Sequence, residues 1–179
     1  MSGTGAIVRR AASALDFRLV SHPSLGLPPV DPAAGDPASA AALRSARGRI
    51  AARAIDFATD AEPDFGPRYP GTALAELRLD VDAMVGRLAE AVAAAQPDGL
   101  GRWAEMVVPR FRKKGVPMDD LVLLFEGLRR AAPSVVLPEA MPLVDASLDA
   151  GIAVFKWHRR LAGDARKRHP LLAFLYKGA

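Results

Sequence analysis

Between Thr72 and Gln96 the apolar residues fall at Leu74, Leu77, Val81, Met84, Leu88 and Ala91, in steps of 3, 4, 3, 4 and 3. That spacing is a heptad seam, which buries its stripe only by lying at a shallow angle against other helices. It commits the chain to helix-on-helix architecture. Thr72 can cap this helix, and Pro97-Asp98-Gly99 ends it. No segment combines period-2 alternation with β-branched enrichment, so strands are not expected. Composition agrees: 35 of 179 residues are alanine, the best helix former, while aromatics are 6%. The predicted fold is all-α, a single helical bundle or globin-like domain of five or six helices with an N-terminal helical arm.

The other helices follow from their own stripes and stops. Thr4 opens a helix over about 5–20, with Val8, Ala11, Ala12, Leu15 and Leu19 on one side. Ser21 to Asp36 contains Pro23, Pro28, Pro29 and Pro32 and reads as an extended linker. A helix over about 38–60 places Leu43, Ile50 and Phe57 seven apart, with Ala46 and Ala54 between. Residues 62–70 read as a loop with three prolines. A helix over about 100–114 buries Trp103, Met106, Val107 and Phe111, kinks or breaks near Val108 before Pro109, and stops at Gly115. The next opens at Val116-Pro117-Met118-Asp119-Asp120, with Leu121, Leu124, Phe125 and Leu128 inward. Pro133, Pro138 and Pro142 fragment the stretch after it. A helix over about 143–162 is apolar on two sides, which makes it central or part of an interface. Asp164 caps a last short helix, Lys167 to Tyr176. The domain plan is an arm and linker over 1–37, a bundle over 38–163 and a C-terminal anchor helix over 164–179.

Most enzyme and cofactor classes find no support in the residues. The absence of cysteine excludes disulfide scaffolds, cysteine zinc sites, iron–sulfur clusters and thiol catalysis. His22 precedes a proline in the linker. His158 and His169 stand eleven apart, about 16 Å along a helix and too far to share a metal. With six glutamates in all and no Glu-x-x-His pair, a di-iron bundle is disfavoured. His158 as a lone haem ligand is weighed against a surface or capped histidine in Lys156-Trp157-His158-Arg159-Arg160, and the second is preferred. Asp145 and Asp149, at i and i+4, read as a solvated face, and Asp119-Asp120 as a helix start. No phosphate loop and no Gly-x-Ser-x-Gly elbow occurs. The chain is therefore expected to have no catalytic residue, no metal and no cofactor.

Charge is uneven. Residues 1–100 hold 10 basic and 12 acidic residues, whereas 101–179 hold 14 and 8, so the second half is cationic. Because these cations gather near helix ends, where they complement the dipole, nucleic acid is not the expected partner. Arg166-Lys167-Arg168 leads into Leu171, Leu172, Phe174, Leu175 and Tyr176, a terminus without a polar face. Such a segment needs cover. It packs on its own bundle, docks on a partner or second copy, or lies in a membrane interface. These eight residues are the candidate partner contacts. No apolar run reaches 18 residues, and Met1 to Arg10 puts charge after a very short apolar patch, an order that does not fit a secretory signal. The chain reads as cytoplasmic, with peripheral membrane contact as the alternative.

Trp103 to Leu121 combines an aromatic, a basic helix end at Arg110-Phe111-Arg112-Lys113-Lys114, then Gly115-Val116-Pro117 and a leucine-led helix. Over about 72–132 this resembles the helical N-terminal sensor or scaffold domains of RsbR- and RsbRD-type stressosome co-antagonist proteins. The resemblance implies a globin-like or bundle domain without catalysis. The proline-rich linker and apolar tail depart from that pattern, and no functional residue carries over. The expected function is a non-catalytic regulatory or scaffolding module that touches a protein partner or a second copy through its arm and tail. The alternatives are a small-molecule or tetrapyrrole sensor with a pocket near Trp103, Met106, Phe125, Trp157 and His158, and a peripheral membrane subunit.

Overall fold

The computed structural model describes residues 35–168, with side-chain surroundings through Leu161. The arm over 5–20, the linker and the segment Leu171–Tyr176 lie outside the described residues. Within them the chain is all-α, with seven helices and no strand. Asp36 caps α1 (Pro37–Ser45) by accepting from the Ser39 backbone N–H at 3.0 Å and its hydroxyl at 2.9 Å. Gly35, just before, has φ +73, and a Cβ there would sit 2.3 Å from the Ala93 carbonyl oxygen, so this close approach admits only glycine.

The helix expected over 38–60 is two. α1 ends at Ser45 and α2 (Arg47–Ala61) begins after Ala46. α1 lies on α4, and the break lets α2 pack on α6 as well as α4, with Leu43, Ile50 and Ala54 still fully buried. The loop over 62–70 also hides one turn, α3 (Phe65–Arg68), which buries Phe65 with its ring 5.1 Å from that of Tyr69. Four residues are too few to show periodicity.

α4 (Thr72–Ala93) is the expected seam helix. Leu77, Val81, Met84, Leu88 and Ala91 are buried, whereas Leu74 at its start is 40% exposed. Val85, Ala89 and Val92 are buried too, because α4 packs on α1 and α2 on one side and on α5 and α7 on the other. Gly71, in the left-handed region, takes the N-cap place expected of Thr72. α5 (Asp98–Lys113) continues through Pro109, so the break near Val108 does not occur. α6 (Met118–Ala131) starts after Pro117 and buries all four residues of its expected inner face. Two 3-10 turns at Ala132–Ser134 and Pro138–Ala140 lead into α7 (Met141–Arg168). Asp164 lies inside α7 rather than capping a new helix, and the 163/164 domain boundary falls within it.

Cross-helix pairs give the directions. Asp80 meets Arg110, which makes α4 and α5 antiparallel. Gly101 meets Ala150 and Arg112 meets His158, so α5 and α7 run parallel. Arg129 pairs with Asp149 and Arg159 with Asp119, so α6 and α7 are antiparallel. Gly127 of α6 lies on α2: a Cβ would fall 2.7 Å from the Cα of Ala54. No helix among the described residues is long and apolar enough to cross a membrane.

Candidate functional site

The face of α4 carrying Ala73, Glu76, Leu77 and Asp80 looks across a cavity of 320 Å³ at Lys114 and the turn Gly115-Val116-Pro117. Arg68 and Tyr69, at the end of α3, close one side. Gly115 has φ +74, which lets α5 stop and the chain turn into α6. Beside this cavity Asp120 is wholly buried. It accepts from the Tyr69 hydroxyl at 2.7 Å and from the Arg68 guanidinium. Burial pushes the Asp120 carboxyl above the usual carboxylate range, against the opposing pull of the Tyr69 hydrogen bond and the Arg68 charge. Tyr69 is also raised, first by burial and then by its hydrogen bond to Asp120. Asp80, 8% exposed, accepts from Lys114 at 2.9 Å and from Arg110. Two buried carboxylates thus tie α3 to α6 and α4 to α5. The first-turn position of Asp120 was legible in the sequence, but its burial was not, because Asp119 beside it is exposed and nothing in the spelling separates the two.

The five residues of the expected pocket are not gathered round one space. Trp103 and Met106 wall a shallow groove between α4 and α5, floored by Ala91, Ala94 and Gly99. Met106 is 72% exposed and lies off the buried face of α5, while Trp103 is partly buried at its edge, packed against the core. That face is Leu100, Gly101, Ala104, Val108 and Phe111. The small residues mark it, since Gly101 lets α7 come close enough that a Cβ there would touch Ala150 at 3.3 Å. Phe125 is fully buried in the core, edge-on to Phe155 at 5.2 Å. Trp157 is 52% exposed on α7. His158 donates from Nε2 to Glu105 at 2.7 Å, and Arg112 donates to its carbonyl at 3.1 Å, which makes it a pinned histidine between α5 and α7.

Asp145 and Asp149 lie on a solvated face, as expected, with side chains 41% and 65% exposed. Arg129 of α6 reaches both across that face, and Glu126 as well. Several other cations among the described residues are similarly engaged. Arg110 and Lys114 hold Asp80, Arg159 holds Asp119 at 2.6 Å, and Arg130 lies over the Phe57 ring at 5.3 Å. Cations spent this way are poor phosphate ligands. At micromolar protein and moderate ionic strength the chain is expected to leave duplex and single-stranded DNA unshifted, and a salt-dependent mobility shift would overturn this.

The ends of α5 and α6 are level with His158 and Arg159 of α7, as the Arg112–His158 and Asp119–Arg159 pairs show. α7 nevertheless continues to Arg168. Those last nine residues extend about 13 Å beyond its neighbours' ends. Leu161, among them, is 43% exposed, and Trp157, one turn earlier, is 52% exposed. Of the candidate partner contacts, Arg166, Lys167 and Arg168 belong to this helix end, while Leu171, Leu172, Phe174, Leu175 and Tyr176 lie outside the described residues. No family model, no curated protein and no solved structure matches this chain.

Proposed function

We propose that this chain is a non-catalytic helical module, regulatory or scaffolding, that works by protein–protein contact. The observation that carries the reading is the pair Trp157 and Leu161 near the end of α7, one turn apart and 52% and 43% exposed. The polar chemistry of the bundle supports it. Asp80, Asp120, Asp149 and His158 each hold a neighbouring helix. The resemblance of residues 72–132 to co-antagonist helical domains points the same way. A photo-crosslinking residue at Leu161, introduced in the native host, is expected to give a discrete protein adduct. The same residue at Leu137, which is 53% exposed on the turn before α7, is the control and should give none. Equal labelling from both positions, or no protein adduct from Leu161, would overturn the reading.

A ligand-holding role is the second reading, and the cavity beside Tyr69 favours it, with its apolar walls and charged rim. A visible absorption band in protein purified from its native source would put this reading first.

A further inference from the structure

The described chain enters the bundle beside an open groove. Gly35 rests on the end of α4, where the Asp36 N–H donates to the Val92 carbonyl at 3.0 Å and a Cβ on Gly35 would meet the backbone of Ala93 and Ala95. Ala94, between those two, lines the groove between α4 and α5. From there the groove runs about 10 Å along α4 to Arg87. Its apolar surface is Ala91, Ala94, Trp103 and Met106, and Arg87 and Arg102 stand on its rim. Upstream of Gly35 the sequence reads Leu25-Gly26-Leu27-Pro28-Pro29-Val30-Asp31-Pro32-Ala33-Ala34. The first six of these residues carry no charged or polar side chain. At 3.1 Å per residue, the rise of a polyproline helix, Val30 falls within about 16 Å of Gly35 and Leu27 within about 25 Å.

We infer that this groove is covered by the chain's own residues 25–30, an extended proline-rich strand with its apolar side chains against Trp103 and Met106. Such strands dock on aromatic-lined grooves because they are already stiff and lose little entropy on binding. Pro28 and Pro29 bring carbonyls but no N–H to leave unpaired, and Arg87 and Arg102 place donors at the rim. Tethering selects this segment over a free partner. Val30 stands five residues from Gly35, and so short a tether holds the segment at an effective concentration on the order of millimolar. A second copy offers the same strand without the tether. The helix expected over 5–20 is also the poorer occupant, because it ends fifteen residues before Gly35 and brings no proline to Trp103. The inference is independent of the protein-contact reading, which concerns α7.

The chain has no cysteine, so a pair introduced into the full-length protein reports one contact without competition. Leu27→Cys with Met106→Cys is expected to close an intramolecular disulfide in oxidised glutathione about tenfold or more faster than Leu27→Cys with Ala41→Cys. Ala41 is exposed on α1, six residues after Gly35, and so within reach of an undocked linker. A second readout uses the full chain with Trp157→Phe, so that Trp103 alone reports. There Leu25→Ser with Leu27→Ser should raise acrylamide quenching of Trp103 and shift its emission to the red, whereas Leu15→Ser with Leu19→Ser should change neither. None of these positions belongs to the described core, so circular dichroism should show every variant folded. Equal closure by the two cysteine pairs, or quenching that Leu25→Ser with Leu27→Ser leaves unchanged, overturns the inference. Quenching raised only by Leu15→Ser with Leu19→Ser gives the groove to the helix over 5–20 and overturns it as well. Disulfide-linked dimers in place of the intramolecular bond overturn it in favour of a second copy.

Discussion

Phe125→Ala is expected to lower the unfolding free energy by about 3–5 kcal/mol, the range for truncating a fully buried phenylalanine. The ring is wholly shielded, meets Phe155 edge-on, and fills space that Gly151 leaves open on α7. A Cβ at Gly151 would come within 2.3 Å of that ring, so glycine and phenylalanine fit as a pair. Truncation therefore leaves a cavity that α7 can close only by moving off α5, to which Gly101 fits it closely. Denaturant unfolding of the variant measures the loss. A cost below about 1 kcal/mol would mean that Phe125 lines a space already partly empty, as the pocket expectation required. Gly127 sets a comparable constraint between α2 and α6, where backbone rather than side chain stands in the way.

The Asp120–Tyr69–Arg68 cluster has the second large effect. In Asp120→Ala the Tyr69 hydroxyl, on a residue 7% exposed, loses its acceptor. An unsatisfied buried hydroxyl costs about 1–3 kcal/mol. Arg68 adds little, since its side chain is 35% exposed and can turn to water or Glu62. The expected total is about 1–3 kcal/mol. Asp120→Asn keeps an acceptor for Tyr69 and sheds the burial of a charge, so it should cost less. The pH dependence has a definite sign. Burial raises the folded carboxyl above its unfolded value, so the folded state holds the proton more tightly. Wild type should then gain stability relative to Asp120→Asn as pH falls from neutral toward about 4, with no further gain below the unfolded value. A gap that stays level or moves the other way would show that the Arg68 and Tyr69 contacts outweigh burial.

Helix existence was legible because it depends on local pattern. The 3–4 steps from Leu77 to Ala91, the inner face of α6 and the apolar face of α7 from Val144 to Phe155 all lie where their periodicity put them. Proline and glycine located most of the stops. The missed details have a common origin. Ala46 reads as one more alanine in a helical run, yet a break there lets α2 reach α6 while α1 and α2 both stay on α4. Trp103 and Met106 are the bulkiest apolar residues in the first half of α5, yet Gly101 and Ala104 face α7, since close approach selects for small side chains rather than hydrophobic ones.

Polar residues were the least legible. Asp119 and Asp120 are adjacent and identical in chemistry, but one faces water and pairs with Arg159 while the other is sealed beneath Tyr69 and Arg68. The sequence alone settled the all-α class, the main helices and the cationic second half, because these follow from spacing and composition along the chain. Which carboxylate is buried, which face of α5 is inward and where α7 leaves its neighbours were decided by the tertiary structure. Each depends on the distance between helices remote in sequence, and no local pattern encodes that distance.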